Sequence, residues 1–424
     1  MFGLEILILL QIAVMLVFAL VLGGLMKKLH QPAVLGEIFG GIILGPTILG
    51  ALSPALQSEL FPVSGETSRI LYSITYLGLV AFVFVAGLEL DLTCIRCQGR
   101  STLITSISGV ILPFALGYAM VVLMPQLWSI PFEDQGIFAL FMGTALSISA
   151  LPVIARILID LELLKTDLGG IIMGAATIND IIGWSIFALI LSVLNTNISL
   201  GLNLGLTAGV LVVTIALLYL TGKNRTWHKA PLGGVIIDLI ALIMLAASIA
   251  SEFIGAHGIF AAFLAGVILS LRHSRRDLIL KKTYLPIMTV LAPIYFVSIG
   301  LKTNFAANFD LTIVLLVFFV ACIGKIIGAS LGALAGGMAE RKALAVGFGL
   351  NARGAMEIVL ATAALDYGLI DGHIFVALVI MALATTMISG LALPWMMKTR
   401  PLSPKAWEPI PLHEQIGSYN YCDN

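Results

Sequence analysis

The stretch GGIIMGAATINDIIGWSIFALILSVL at residues 169–194 holds a single formal charge, Asp180, beside the amide of Asn179. About twenty apolar residues cross the roughly 30 Å hydrocarbon core of a bilayer as an α-helix, so this stretch predicts a transmembrane helix. An ionised carboxylate at the centre of a membrane costs roughly 3 kcal/mol on insertion scales, and such groups face wet cavities. The sequence therefore predicts that Asp180 is a functional acid that exchanges a proton or a small cation.

The composition of the whole chain is that of a polytopic membrane protein. Of its 424 residues, 59% are hydrophobic and 11% are charged, and the mean hydropathy is +1.07. These values exclude a soluble globular protein. The 42 glycines suit the close packing of transmembrane helices. We therefore predict an all-α polytopic protein that is embedded in the lipid bilayer.

Hydropathy divides the chain into about thirteen predicted spans. They cover residues 4–25, 32–50, 67–88, 103–124, 136–157, 169–194, 201–221, 233–253, 257–271, 283–301, 311–337, 341–365 and 373–396. An external N-terminus places most of the 23 Lys and Arg residues on the cytoplasmic side, in agreement with the positive-inside rule. We expect an integral protein of a cell membrane with an external N-terminus and a cytoplasmic C-terminus.

The odd number of spans allows two six-helix halves of opposite orientation. We predict one transmembrane domain at residues 1–400, in which spans at about 4–194 and 233–396 form the halves and the span at 201–221 links them. Residues 401–424 are then a short cytoplasmic tail without a regulatory domain. Inverted repeats of this kind place the substrate site near the middle of the membrane, at interrupted helices.

Two spans carry the residue types of an interrupted helix. The run TALSISALP at residues 144–152 combines a proline, which removes one backbone donor, with three hydroxyl side chains able to satisfy exposed backbone groups. The run GFGLNARG at residues 347–354 provides glycines in the same way. These runs lie in the fifth helices of the two predicted halves. We therefore expect both helices to break and to face Asp180.

Oxygen atoms near Asp180 provide the ligands that a monovalent cation needs. The predicted binding residues for a proton or for Na⁺ or K⁺ are Asp180, Asn179, Ser147, Ser149 and Thr144. Burial favours the neutral, protonated form of an acid, whereas a bound cation favours its ionised form, so one carboxylate accepts either ligand. Because Asn179 does not titrate, the simplest expectation is an exchange of one cation for one proton.

Three further charges within the spans are predicted partners of Asp180. Arg353 and Glu357 are four residues apart on one helix, which favours a local ion pair with a mainly structural role. Lys325 has two open interpretations. A buried ammonium is able to release a proton, or it neutralises a carboxylate or a helix C-terminus. With Asp180, these four charges sum to zero, which suits a membrane interior.

Several motifs in order along the chain resemble those of a known transporter family. They are Leu35-Gly-Glu through Gly45-Pro46, Phe84-Val-Ala-Gly-Leu-Glu-Leu-Asp91, Ser149-Ala-Leu-Pro-Val-Ile-Ala-Arg-Ile-Leu158, Ala176-Thr-Ile-Asn-Asp180, Phe260-Ala-Ala-Phe-Leu-Ala-Gly266, Ala292-Pro-Ile-Tyr-Phe-Val-Ser-Ile-Gly-Leu301 and Asn351-Ala-Arg-Gly-Ala-Met-Glu357. The chain resembles a monovalent cation:proton antiporter of the second cation/proton antiporter family. That family includes bacterial sodium/proton exchangers, Kef-type potassium systems and plant cation/proton exchangers.

The resemblance implies a thirteen-helix fold in which a mobile core, spans 4 to 6 and 11 to 13, lies beside a dimerisation domain. It implies a homodimer, two crossing discontinuous helices and an elevator-like movement of the core. The ion-binding aspartate of the family corresponds to Asp180, and its core lysine corresponds to Lys325. The chain departs from the electrogenic relatives, which carry Asp-Asp, at Asn179. It also departs from Kef-type proteins with a regulatory domain, because residues 401–424 are too short for one.

The sequence therefore predicts a secondary antiporter, not an enzyme, that exchanges Na⁺ or K⁺ for H⁺ by alternating access. No cofactor other than the transported ions and no nucleic-acid partner is expected. Two alternatives remain open: a Kef-like potassium efflux pathway and a sodium-coupled symporter on a related fold. The sequence does not choose between Na⁺ and K⁺.

Overall fold

A computed structural model describes residues 4–28, 32–89, 93–128, 135–161, 163–164, 166–194, 258–270 and 287–397, and every regular element in these ranges is helical. Seven of these helices are long and apolar enough to cross a membrane, or eight if one bent pair counts as a span. The prediction of an all-α membrane protein is confirmed. The predicted spans at 201–221 and 233–253 and the tail at 401–424 lie outside the described residues.

The described helices follow the predicted spans closely. In chain order they are α1 (Leu4–Lys28), α2 (Ala33–Leu44), α3 (Leu49–Leu52), α4 (Pro54–Leu60), α5 (Glu66–Glu89), α6 (Thr93–Leu123), α7 (Gln135–Ser147), α8 (Leu151–Asp160), α9 (Asp167–Leu194), α10 (Gly258–Ser270), α11 (Ala292–Lys302), α12 (Leu311–Ala335), α13 (Glu340–Leu350), α14 (Ala355–Asp366) and α15 (Gly372–Met397). The start of α6 is earlier than predicted, because Gly99 at φ 51° joins a preceding helical segment through a kink.

Acidic side chains fix the starts of two of these helices. The Oδ1 atom of Asp310 accepts hydrogen bonds from the backbone N–H groups of Thr312 and Ile313, at 2.8 and 3.1 Å. Asp371 accepts one from the N–H of Ile374 at 2.9 Å. A carboxylate at this position satisfies orphan donors and complements the positive end of the helix dipole. The sequence thereby sets where α12 and α15 begin.

The helices pack into two groups. The first, called here the five-helix group, contains α1, α2, α5, α10 and α11, and the second, the eight-helix group, contains α6 to α9 and α12 to α15. Within the described ranges, packing is extensive inside each group and sparse between them. One contact between the groups is the stacking of Trp184 in α9 on Phe263 in α10, with ring centroids 5.5 Å apart. The eight-helix group comprises the helices that the resemblance assigns to the mobile core.

A glycine face on α12 brings this helix very close to α6. Its members, about one per helical turn, are Gly324, Gly328 and Gly332, and Gly336, directly after the helix, continues the row. A Cβ atom added at Gly328 would lie 2.6 Å from the backbone oxygen of Ser108 in α6. Because no side chain separates the two backbones, the neighbouring Lys325 lies within reach of the α6 main chain. Small residues of this kind are the usual means by which membrane helices approach one another.

Glycines also permit two close crossings inside the five-helix group. A Cβ added at Gly41 in α2 would lie 2.0 Å from a backbone oxygen of α11, and one added at Gly300 would lie 2.2 Å from the backbone of α2. Gly87 in α5 and Gly266 in α10 meet in the same way, with the added Cβ atoms 2.2 Å from backbone oxygens. The helix pairs α2/α11 and α5/α10 therefore share one mode of contact.

Gly328→Ala should destabilise the protein. The added methyl group collides with the α6 backbone, and overpacking of this type costs about 1–3 kcal/mol. Thermal unfolding of the purified protein in detergent measures the change. The matched control is Gly390→Ala in α15, where a Cβ meets no atom within 4 Å among the described residues. Equal unfolding temperatures for the two variants would contradict the close α6–α12 contact.

Candidate functional site

Two interrupted helices cross within the eight-helix group. The first breaks at residues 148–150, between α7 and α8, and the second breaks at residues 351–354, between α13 and α14, where the axis bends by 43°. The N–H of Ala150 donates to the carbonyl of Ala352 at 3.0 Å, and the hydroxyl of Ser149 donates to the carbonyl of Leu350 at 2.8 Å. The two breaks therefore satisfy each other's backbone groups.

Two cationic side chains satisfy the carbonyls at the C-terminal end of α7. Arg353 donates from Nη1 to the carbonyl of Ala145 at 2.9 Å and from Nη2 to that of Leu146 at 2.5 Å. Lys325 donates to the carbonyl of Ser147. The last carbonyls of a helix lack partners within the helix and carry a partial negative charge. A helix end at this depth is stable because two buried cations replace the water that is missing there.

The ammonium group of Lys325 lies among three neutral oxygen atoms. Besides Ser147, it donates to the carbonyl of Gly109 at 3.0 Å. The Asn179 amide has one orientation that satisfies both its oxygen and its nitrogen. In that orientation Oδ1 accepts from Lys325 at 3.0 Å and the amide nitrogen donates to the carbonyl of Ala175 at 3.1 Å. The three N–H donors of the ammonium therefore have three acceptors.

Arg353 is also held from two other sides. Its Nη1 lies 3.1 Å from Oε1 of Glu357, four residues further on, and both side chains are buried. The hydroxyl of Thr386 in α15 accepts from the backbone N–H of Arg353 at 3.2 Å and donates to its carbonyl. The predicted ion pair is therefore present, and the contacts of Arg353 hold the second break against α7 and α15.

Glu357 and Asp180 each keep one carboxylate oxygen without a hydrogen bond among the described residues, but Glu357 is held through its other oxygen by Arg353. Asp180 has no such ion pair within the described part of the chain. Its side chain is buried on α9, and Oδ1 forms no hydrogen bond with the residues that the structure describes. Lys325 is close enough to attract the carboxylate electrostatically, yet its donors are directed at neutral oxygens. Buried polar atoms almost always have a partner, so an orphan carboxylate oxygen calls for a ligand.

The three predicted hydroxyl ligands lie at or beside the first break, where all are buried. The hydroxyl of Thr144 donates to the carbonyl of Leu140 at 2.7 Å, and that of Ser147 donates to the carbonyl of Thr144 at 2.8 Å. The hydroxyl of Ser149 joins the two breaks. Because their hydrogens are engaged by carbonyls, these oxygens retain lone pairs. Among the described residues none forms a hydrogen bond with Asp180.

Sequence reasoning missed three contributors to this region. The Ser106 hydroxyl lies 2.8 Å from the Asn179 amide, the Gly109 carbonyl accepts from Lys325, and Thr386 fixes the backbone of Arg353. The adjacent threonines at 385 and 386, in a mostly apolar helix, were a sequence signal for the contact of Thr386 with Arg353. No sequence pattern marks the carbonyl of Gly109, because its role depends on the close approach of α12.

Arg353→Lys should destabilise the protein although it keeps the charge. A lysine ammonium does not reproduce the planar fork that reaches two carbonyls and Glu357 at once, so buried acceptors lose their donors. We expect a loss of about 2–4 kcal/mol, measured by thermal unfolding in detergent. Arg341→Lys is the control, since Arg341 is an exposed residue whose Nε donates to the carbonyl of Met396 at 2.8 Å. Equal losses in both variants would contradict the capping role.

Comparisons with known proteins identify the family. Residues 14–399 match the family model described as sodium/hydrogen exchanger, transmembrane. The chain is similar to Cation/H(+) antiporter 17 of Arabidopsis thaliana, with 34% identity over 392 residues that cover 90% of this chain and 47% of the relative. It thus spans about half the length of that plant protein.

A bacterial relative and a solved structure match over nearly their whole lengths. Na(+)/H(+) antiporter NhaS4 of Synechocystis sp. is 33% identical over 394 residues, which cover 91% of this chain and 95% of the relative. The structure of the sodium proton antiporter MjNhaP1 from Methanocaldococcus jannaschii at pH 8 superposes with a TM-score of 0.58 at 16% identity, covering 92% of this chain and 97% of that chain. At this sequence identity, the structural similarity to MjNhaP1 shows a shared fold only. The chain belongs to the transmembrane sodium/hydrogen exchanger family.

Proposed function

We propose that the protein is a secondary antiporter that exchanges Na⁺ or K⁺ for H⁺, with Asp180 binding either the cation or the proton. The observation that carries this proposal is the orphan oxygen of a buried carboxylate in the helix group that contains two crossing helix breaks. A cation is attracted to such an oxygen, and a proton neutralises it. The names of the relatives, a cation/H⁺ antiporter and a Na⁺/H⁺ antiporter, support the same exchange.

Asp180 is the group best suited to carry the proton. Glu357 is held by Arg353, and Asn179 does not titrate. Lys325 donates to three oxygens, whereas a neutral amine has only two N–H groups and would turn its lone pair toward a carbonyl. In this proposal Lys325 keeps its proton and serves as a fixed charge at the end of α7. One proton exchanged for one cation makes the transport electroneutral.

The architecture we propose has thirteen helices in two inverted halves. In that scheme spans 2 and 9 are equivalent, as are spans 3 and 10, so the contact between spans 2 and 10 has its counterpart between spans 3 and 9. Helices α2, α5, α10 and α11 are spans 2, 3, 9 and 10. The glycine crossings of α2/α11 and α5/α10 are therefore a pair of equivalent contacts in this scheme. The sequences Gly41-Ile-Ile-Leu and Gly266-Val-Ile-Leu also correspond at the two crossings. In this topology the N-terminus lies outside and residues 401–424 lie on the cytoplasmic side.

We propose alternating access, and the packing of the two groups supports it. Among the described residues the contacts between the groups are sparse compared with those inside each, as a movement of the eight-helix group with Asp180 would require. The five-helix group is the stationary part. Its helix α1 exposes apolar side chains along its length, including Leu9 and Val21 at 67% and 63%. We propose that this surface faces lipid and a second copy of the chain in a homodimer.

Asp180→Asn should abolish exchange, because the amide neither ionises nor carries a proton. The measurement is the collapse of an imposed pH gradient in proteoliposomes on addition of Na⁺ or K⁺. Asp167→Asn, an exposed acid at the start of the same helix, serves as the control and should exchange normally. Full exchange by Asp180→Asn would refute the site, and flux of a labelled organic anion with Na⁺ would favour a symporter instead.

The exchange should be insensitive to the membrane potential. With equal K⁺ on both sides, Na⁺-driven proton flux is measured with valinomycin, which holds the potential at zero, and without it. A one-for-one exchange moves no net charge, so we expect equal rates. A faster rate with valinomycin would show that a second proton is carried. A K⁺ current without proton movement would favour the efflux pathway.

A further inference from the structure

An ion pair joins the two helix groups at one face of the protein. Lys302, the last residue of α11, belongs to the five-helix group, and Asp366, the last residue of α14, belongs to the eight-helix group. The ammonium Nζ lies 2.7 Å from Oδ1 and 2.6 Å from Oδ2 of the carboxylate. In the proposed topology both residues lie on the outer side of the membrane. The contact thus spans the boundary along which the two groups would slide.

The position of Asp366 indicates that its charge serves this contact. A carboxylate at the C-terminal end of a helix is repelled by the partial negative charge of the last carbonyls. Asp366 lies at that end of α14, so its own helix disfavours it, and the Lys302 ammonium compensates from the other group. Lys302 is favoured at the end of α11 whether or not Asp366 is near. The ion pair therefore favours the arrangement of the two groups that brings Asp366 next to Lys302.

The exposure of the pair allows it to break and re-form. The side chain of Lys302 is 23% exposed and that of Asp366 is 31% exposed. A fully buried ion pair resists separation because each charge would lose its partner without gaining water, whereas a partly hydrated pair exchanges its partner for solvent at small cost. The Lys302 ammonium also lies 5.8 Å from the ring centroid of Tyr72 in α5. That cation–π contact is within the five-helix group and is independent of Asp366.

Helix α14 connects this contact to the second helix break. It runs without interruption from Ala355 to Asp366 and carries Glu357 in its first turn. Nine residues separate Glu357 from Asp366, about 13.5 Å along a helix. A displacement of the break region along the membrane normal therefore moves Asp366 with it, while Lys302 remains with α11 and Tyr72.

We propose that Lys302 and Asp366 form a latch between the two helix groups, which is closed in this structure and opens once in every exchange cycle. This inference rests on the proposed exchange function. The closed latch favours the state that is shut toward the outside. A partly exposed ion pair shifts such an equilibrium by about two- to fivefold.

Cross-linking the latch tests whether it opens. The native cysteines Cys94, Cys97, Cys322 and Cys422 are replaced by serine, and Lys302→Cys with Asp366→Cys are introduced. A short bifunctional thiol reagent should stop Na⁺/H⁺ exchange in proteoliposomes when the linker joins the two residues. A reducing agent that cleaves a disulfide-containing linker should restore it. Exchange that continues at the uncross-linked rate after complete cross-linking would overturn the latch.

A matched control separates trapping from general damage. Arg341→Cys with Met397→Cys, a partly exposed position, places the same linker between α13 and α15, which belong to one group and are joined by the hydrogen bond from Arg341 to the carbonyl of Met396. Exchange by this variant should survive cross-linking. If the parent protein shows no exchange, the proposed function fails and the latch fails with it. If the parent exchanges and only the latch experiment gives the contrary result, the function stands and the latch alone is wrong.

Charge variants give a second readout that does not depend on cross-linking. Asp366→Asn should lower the KM for external Na⁺ relative to that for internal Na⁺ by about two- to fivefold, because the outward-open state becomes more populated. The exchanged pair Lys302→Asp with Asp366→Lys should restore the original ratio. A structural defect alone would lower the maximal rate and leave this ratio unchanged. An unchanged ratio in Asp366→Asn would overturn the proposal.

Discussion

Three carbonyls at the end of α7 lack partners within their own helix, and two cationic side chains from later in the chain satisfy them. Arg353 and Lys325 replace the water that would otherwise solvate this end. Without such donors a helix would not end inside a membrane, since each unsatisfied backbone group costs several kcal/mol there. The position of the first break, and with it the polar environment inside the eight-helix group, depends on this interaction.

The same interaction leaves Asp180 without a hydrogen-bond donor from either cation. Lys325 and Arg353 donate to the carbonyls of α7, Lys325 donates also to the carbonyl of Gly109 in α6, and the guanidinium takes Glu357 as its acidic partner. The carboxylate of Asp180 benefits from a positive field yet keeps an oxygen without a hydrogen bond among the described residues. Asn179 contributes an amide oxygen to the lysine instead of a second acid. In the proposed exchange, Lys325, Arg353 and Glu357 keep their charges and Asp180 alone binds the proton.

Close helix packing makes these contacts possible. Lys325 reaches α6 because the glycine face of α12 brings the two backbones together, and its distance to the carbonyl of Gly109 is 3.0 Å. Larger residues at these positions would separate α6 from α12 and move the ammonium away from the carbonyl of Gly109. In the part of the chain that the structure describes, the contacts between the two groups are few, and they include the stacking of Trp184 on Phe263 and the ion pair of Lys302 with Asp366. Tight packing inside a group and loose packing between groups are the properties that a moving core requires.

The sequence by itself determined the membrane class, the bounds of the described spans to within a few residues at most of their ends, the two helix breaks and the buried acid. Each of these follows from local chemistry, because hydropathy, proline, glycine and an isolated charge act over one or two helical turns. Only the tertiary structure decided which carbonyls Lys325 and Arg353 bind, that the breaks pair through Ala150 and Ala352, and that Lys302 meets Asp366. The hydrogen bonds of Lys302 and Lys325 join residues that are 64 to 216 positions apart along the chain. Their meeting depends on helix packing, which no local pattern encodes.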